Sequence, residues 1–327
     1  MTNKNQSRRL KWVDNLRGGA ILLVILGHTI QYFAADFDTN HVANYIYSFH
    51  MPLFFMISGF CSGYSSSDLW KVVKKSAIQL LLPYLIWSFL LSWTMKYDWR
   101  DVVFINPRYW FLLVLLYIRL IHVGCRFVAH KLHIAEFIPS IAAIVLFGAA
   151  QFVVKTDIPC FSFIYYYMIY FVIGYHVCIN FSKIKNVIAN KSLLIAMTLV
   201  FLVWGFYFRR GSVPDFISFI PGFLYFIPLA LVGCYISFSL FMNYMDKKFE
   251  ILYFLGIHSL GIYVVSGYFC YIIFTYFQEI RVYTTRYWFL VYLLFVLISA
   301  MSSTIVLLLS RYSRMRPLIG LQVKHVS

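Results

Sequence analysis

The chain has 327 residues, 61% of them hydrophobic and 12% charged, with a mean hydropathy of +0.75. Soluble globular domains average about 45–50% apolar and about 25% charged residues, so the composition excludes a water-soluble fold and predicts an all-α, polytopic membrane helical bundle. The formal net charge of +16 does not point to nucleic acid, because the basic residues fall in short loops between apolar runs.

Ten apolar stretches follow in chain order, at residues 18–35, 42–64, 76–95, 109–129, 137–154, 161–181, 191–208, 216–242, 251–277 and 287–310. Each is near the ~20 residues that a bilayer requires. Loops between them are short, so residues 1–327 read as a single integral-membrane domain. A basic segment (1–11) precedes the first stretch and a tail (311–327) follows the last. Arg119 and Arg126 interrupt the fourth stretch, and charge bias decides whether it counts. With ten spans and both termini cytoplasmic, twenty of the twenty-eight Lys and Arg residues lie inside. Deleting the fourth span inverts everything after it and leaves thirteen inside against fifteen outside. The positive-inside rule therefore selects ten spans with both ends in the cytoplasm.

The first stretch opens WVDNLRGGAILLVILGHT, with Asp14 and Arg17 at its mouth and His28 eleven residues beyond Arg17. Eleven helical residues advance about 16 Å and turn through three revolutions plus roughly 20°. Arg17 and His28 are thus expected on one stripe, the first at the cytoplasmic face and the second near mid-bilayer. His50, in FHMPLFFMISGF, enters from the opposite face and reaches a depth of about 12 Å, close to that of His28 across a ~30 Å core. The connection from Asp36 to His41 is short, which makes the two helices expected neighbours and a two-histidine site geometrically possible. Imidazole titrates near neutral pH and can take a proton from a hydroxyl, as a general base must. A hydrogen-bonded packing role is the plainer reading for each histidine taken alone. Arg119 lies about 15 Å inside its span and is a candidate anion ligand, with snorkelling as the alternative.

Other groups say less. His176 and His258 are expected near the cytoplasmic side, and His122, His130 and His133 in a solvated basic loop. The six cysteines never form CxxC, so no metal or disulfide framework is expected. The sequence carries no Walker loop, GxSxG elbow or HExxH motif, so NTP hydrolysis, a serine-hydrolase elbow and zinc proteolysis lack support.

The opening stretch resembles the first helix of the membrane acyltransferase-3 family, which bears an Arg-x10-His signature that Arg17 and His28 match. HMPLFFMISGF resembles the family's second-helix block, and RYWFLLVLLY and LGIHSLGIYVV resemble later ones. The resemblance implies a ten-span bundle in a bacterial cytoplasmic membrane that moves an acyl group, most often acetyl from acetyl-CoA, to a hydroxyl of a surface polysaccharide or related glycan. It makes His28 the catalytic histidine and has Arg17 help to hold the acyl donor, with Lys74 and Lys75 serving for a basic block. Asp14 and Arg119 are further candidates for donor binding, and His50 is expected to orient His28 or share its proton. Two departures stand out. Lys74 and Lys75 replace an arginine-rich block before the third helix, and Ser266 stands where relatives often carry histidine. The partners implied are the acyl-CoA donor, a glycan or lipid-linked sugar acceptor, and the bilayer. A transporter or flippase is the competing reading, because buried His and Arg also suit a polar pathway across a membrane.

Overall fold

The computed structural model describes residues 10–34, 37–64, 68–105, 107–153, 158–208, 222–247, 249–276 and 287–321. Residues 1–9, the start of the eighth predicted stretch (216–221) and residues 322–327 lie outside these. Every described element is helical. Helix α1 is Lys11–Phe33 and α2 is His41–Ser62. Helices α3 (Leu69–Ser76) and α4 (Leu82–Met95) run on through a π-helical turn at Ala77–Leu81. They are followed by α5 (Trp110–Leu132), α6 (Phe137–Val153), α7 (Phe161–Ile179), α8 (Phe181–Ile188) and α9 (Lys191–Tyr207). The last four are α10 (Gly222–Tyr244), α11 (Glu250–Ile257), α12 (Ser259–Tyr276) and α13 (Tyr287–Arg311).

Each of the ten predicted stretches falls on one helix or one pair of consecutive helices. By length and apolar content alone, seven described helices can cross a membrane, or eight if α8 and α9, bent by 67°, form one span. The two stretches outside that count have visible reasons. Helix α6 has 17 residues, and the 22 residues of α2 include His41, Asn44, Ser48 and His50. The fourth stretch, on which the predicted orientation turns, is one unbroken helix, α5, despite its two arginines. Apolar side chains such as Val145, Leu146, Ile195, Val203, Phe289 and Val296 are all more than half exposed on α6, α9 and α13. An apolar outer surface of this kind is stable only against lipid.

Short polar side chains start several helices. Asn40 accepts from the Ala43 amide at 3.0 Å, Asp68 from the Trp70 amide at 3.0 Å, and Asn190 from the Leu193 amide at 3.0 Å. Each satisfies a donor that the helix itself leaves unpaired.

Helix α1 lies at the centre, packed against α2, α10, α11, α12 and α13. Two crossings hold the bundle tightly. At α1–α11, a Cβ on Gly18 would strike the Leu252 carbonyl and one on Gly256 would strike the Asp14 carbonyl. At α2–α7, Gly59 stands against the Phe171 carbonyl and Gly174 against the Met56 carbonyl in the same reciprocal way. Glycine at these four sites lets backbones touch, the means by which helices associate where no hydrophobic effect operates between them. Near the start of α1, Trp12 packs its ring against Phe60, Phe181 and Phe238 at 5.6–6.1 Å, and Asn15 donates to the Met245 and Lys247 carbonyls at 2.8 and 2.7 Å.

After α13 the chain does not simply leave. Residues Ser313–Ile319 form a 3₁₀ segment that packs on α4, α12 and α13. Trp87 Nε1 donates to the Leu318 carbonyl at 2.9 Å, and Ile319 is 1% exposed. Much of the expected tail is therefore part of the bundle.

The crossings give a paired test. Gly256→Val or Gly174→Val is expected to lower stability by at least about 3 kcal/mol, above the usual cost of overpacking, because the new Cβ meets a backbone carbonyl that cannot move aside. Gly124→Ala on α5, where an added Cβ meets nothing within 4 Å, is expected to be neutral or to stabilise by up to about 1 kcal/mol through helix propensity. Thermal unfolding in detergent reads both.

Candidate active site

Three cavities lie in series along one side of α1. The first, of about 320 Å³, is lined by Arg17, Ser58, Lys71, Lys75, Gln79, Arg119, His122 and Arg126. The second, of about 160 Å³, shares Arg17, Ser58, Gln79 and Arg119 with the first and extends past Val24, Met51, Phe54 and Leu115 to Tyr263. The third, of about 450 Å³, begins at Tyr263 and is lined by His28, Gln31, Tyr32, Arg108, Tyr109, Trp110, Gly267 and Tyr271. Helix geometry explains the order. Arg17, Val24 and His28 are spaced by seven and four residues, so one stripe of α1 borders all three in turn.

The first cavity is strongly cationic. Asp14 is 3% exposed and its carboxylate lies 3.8 Å from the Arg17 guanidinium. Arg126 Nε lies 3.6 Å from a Glu136 carboxylate oxygen, which also accepts from the Tyr175 hydroxyl. Lys71 pairs with Asp68 at 3.3 Å. Among the described residues, Lys75 and Arg119 have no carboxylate partner. Arg17, Lys75 and Arg119 are near enough to repel one another. Like charges held this close are costly, and the group they favour is an anion.

The third cavity holds the imidazole of His28, which is half-buried. His50 is 3% exposed and within electrostatic reach of His28. Its Nδ1 lies 2.8 Å from the Ile46 carbonyl oxygen, which can only accept. The proton therefore sits on Nδ1, and in the neutral ring Nε2 keeps its lone pair. The Tyr47 ring packs on His50 at 4.7 Å, and its hydroxyl donates to Gln31 Oε1 at 2.6 Å. On the far wall Arg108 lies 5.4 Å over the Tyr271 ring, and the Tyr109 hydroxyl is buried without a hydrogen-bond partner.

The structure brings Arg17, Lys75 and Arg119 together at one cavity and puts His28 at another, with His50 within electrostatic reach of His28 but lining none of the three cavities. Asp14 touches neither space and instead holds Arg17. Lys74 is exposed and lines none of the three cavities. Ser266 is 1% exposed, and its hydroxyl donates to the Tyr263 carbonyl at 3.2 Å, away from all three.

One expectation is corrected. His122 is not in a solvated loop: it is 4% exposed inside α5, borders the cationic cavity, and has neither ring nitrogen hydrogen-bonded. It already falls within the predicted span 109–129, and its burial follows from its face of α5 packing on α7, where its ring meets Phe171 at 5.2 Å and Tyr175 at 4.5 Å. Lys71, His122 and Arg126 are functional candidates that reading the sequence by loops missed. The signal was present, since Arg119, His122 and Arg126 recur at i, i+3 and i+7. Arg108 and Tyr109 fall in the RYWFLLVLLY block and Tyr263 in LGIHSLGIYVV, but nothing in sequence marks Tyr271 or shows that the two blocks meet, which happens only through folding.

Compared with known proteins, residues 10–307 match the family model of the acyltransferase-3 type, described as an acyltransferase domain. The chain is 42% identical over 89 residues to the nodulation protein NolL of Mesorhizobium japonicum, covering 25% of this chain and 24% of that protein. It is 36% identical over 85 residues to NolL of Sinorhizobium fredii, covering 24% and 23%. The matched segment thus spans about a quarter of each curated relative. No solved structure matches.

Removing an unpaired charge from the cationic cavity is expected to separate stability from binding. Arg119→Met should stabilise the ligand-free protein, on the order of 1 kcal/mol, by relieving repulsion from Arg17 and Lys75. Pyrophosphate, used as a bare diphosphate probe, should raise the melting temperature of wild type and not of the variant. Equal shifts in both proteins would contradict the assignment of Arg119 as an anion ligand.

Proposed function

The chain belongs to the acyltransferase-3 family, and from that premise we propose that it is a membrane O-acyltransferase. It moves an acyl group, acetyl in the simplest case, from a CoA thioester to a hydroxyl of a cell-surface glycan. The observation that carries this reading is the cationic cavity, where Lys75 and Arg119 have no carboxylate partner among the described residues, joined through a second cavity to the one that holds His28. CoA carries its phosphates at one end and its thioester at the other, and the site has the same polarity.

In this reading the phosphates of CoA bind Arg17, Lys75 and Arg119, and Asp14 keeps the Arg17 guanidinium turned to them. His122 and Arg126 complete the wall. The acceptor enters the third cavity, where Tyr32, Trp110 and Tyr271 offer ring faces to a sugar and Gln31 and Arg108 offer hydrogen bonds. His28 accepts the proton of the acceptor hydroxyl as its oxygen attacks the thioester carbonyl. The C–O bond forms, the C–S bond breaks, and the CoA thiolate leaves and takes up the proton. His50, fixed by the Ile46 carbonyl, presents Nε2 to support the charge that develops on His28. The charge bias of the loops supports a cytoplasmic CoA end with both termini on that side, and a bacterial inner membrane is the setting this reading takes.

His28→Ala is expected to retain acyl-CoA binding and to lose transfer by at least 10²-fold, the scale of general-base catalysis. Radiolabelled acetyl-CoA with membranes that carry the acceptor measures the second quantity. Transfer in detergent, where no gradient exists, separates this reading from a transporter, which would move substrate into sealed vesicles without consuming a thioester. A folded His28→Ala protein that transfers at the wild-type rate overturns the proposed base.

A further inference from the structure

A groove of about 580 Å³ lies between α6, α7 and α8, and none of its lining residues borders the three cavities described above. On α6, Phe137, Ile141 and Ile144 recur at i, i+4 and i+7, and on α7 Ile169, Ile173 and His176 do the same, so each helix turns one stripe to it. The two helices run antiparallel: the Phe137 ring lies 6.5 Å from the His176 ring at one end, and Phe147 lies 5.6 Å from Phe161 at the other. Beyond Ile144 and Ile169 the groove closes, because α6 and α7 meet directly where Gly148 sits under the Tyr165 ring. The polar members gather at the opposite end, where His176, Asn180 and Lys183 lead out to α8.

We propose that this groove is a binding site for a phospholipid with a net negative headgroup, the phosphate at Asn180 and Lys183 and an acyl chain along the isoleucines. Lys183 has no carboxylate partner among the described residues. The carboxylate nearest this end, Glu136, is engaged by Arg126 and the Tyr175 hydroxyl. Asn180 spends one amide hydrogen on the His176 carbonyl at 3.0 Å and keeps a second for a phosphate oxygen. The length of the groove selects a lipid. From Asn180 to Ile169 is eleven helical residues, about 16 Å, which is half of a ~30 Å hydrocarbon core and so the depth of one leaflet. A spanning helix from a second copy would need a groove twice as long. The volume is several times the about 150 Å³ that holds a six-carbon ring, which leaves room for a long chain. The charge bias of the loops assigns the polar end to the cytoplasmic side, where anionic lipids are drawn to basic pockets between helices.

The test titrates the full chain, purified in detergent and stripped of lipid, with phosphatidylglycerol and with phosphatidylcholine of the same acyl chains, and counts bound lipid by native mass spectrometry. The wild type is expected to prefer phosphatidylglycerol by about fivefold, the worth of one lysine beside an anionic headgroup. Lys183→Gln should abolish that preference. Lys185→Gln removes the same charge from the same helix, but Lys185 lies 200° around from Lys183 and lines no part of the groove, so the preference should survive. Ile141→Trp fills the apolar part and should weaken both lipids while leaving their ratio unchanged. Because the preference is a ratio within one protein, partial loss of folded material does not alter it. Equal binding of the two lipids by the wild type overturns the proposal, as does a loss in Lys185→Gln as large as in Lys183→Gln, which is the signature of general surface charge. Lipid binding that Ile141→Trp leaves untouched, or a wild-type dimer that this variant dissolves, also overturns it, the second by giving the groove to another copy of the chain.

Discussion

Backbone contact between helices is the constraint on which this structure depends. In a bilayer the lipid is as apolar as leucine, so helices are not driven together by burying surface and must instead fit closely. The α1–α11 crossing, through Gly18 and Gly256, and the α2–α7 crossing, through Gly59 and Gly174, bring carbonyl groups to where a side chain would otherwise stand. Helix α1 is thereby pinned at the centre, with one stripe turned to a space that α2, α5 and α12 enclose from other sides.

That placement accounts for the electrostatics. A helix at the periphery would let Arg17 snorkel to water. Held inside, Arg17 shares a cavity with Lys75, Arg119 and Arg126, while the nearby carboxylates are engaged, Asp14 with Arg17 and Glu136 with Arg126. The arrangement is poorly satisfied by the protein alone. Binding sites commonly carry such unrelieved charge, because stability is given up where a ligand must bind. The histidine end is the opposite case. His50 is satisfied through Nδ1, and Tyr47 and Gln31 are joined to each other, so the pair of imidazoles stands in a supported frame.

Between the two ends the bundle narrows to the smallest of the three cavities, which borders the third at Tyr263. The same helices that supply cations at one level supply Val24, Met51 and Leu115 at the next.

Much of this was legible without coordinates. Apolar length marked the helices, including α5, where charge bias retained a span that its arginines had made doubtful. The spacing of Arg17 and His28 put them on one stripe, and depth arithmetic paired His28 with His50; both are properties of a single helix or of two joined by a short loop. Reading by loops failed for His122, whose burial is set by the face of α5 that packs on Phe171 and Tyr175, and for Lys74, which differs from Lys75 by 100° of helical rotation and so faces away. The third cavity was beyond reach altogether, because Arg108 precedes α5 while Tyr263 and Tyr271 come from α12, and both meet α1 only in the folded bundle. So was the segment after α13, which by composition is a polar tail and by contact is a wall. Periodicity and hydropathy are local, and they determine which residues form helices and which face carries the charge. Which faces meet is decided by long-range packing at a few glycines, and only the folded bundle shows the cavities that result.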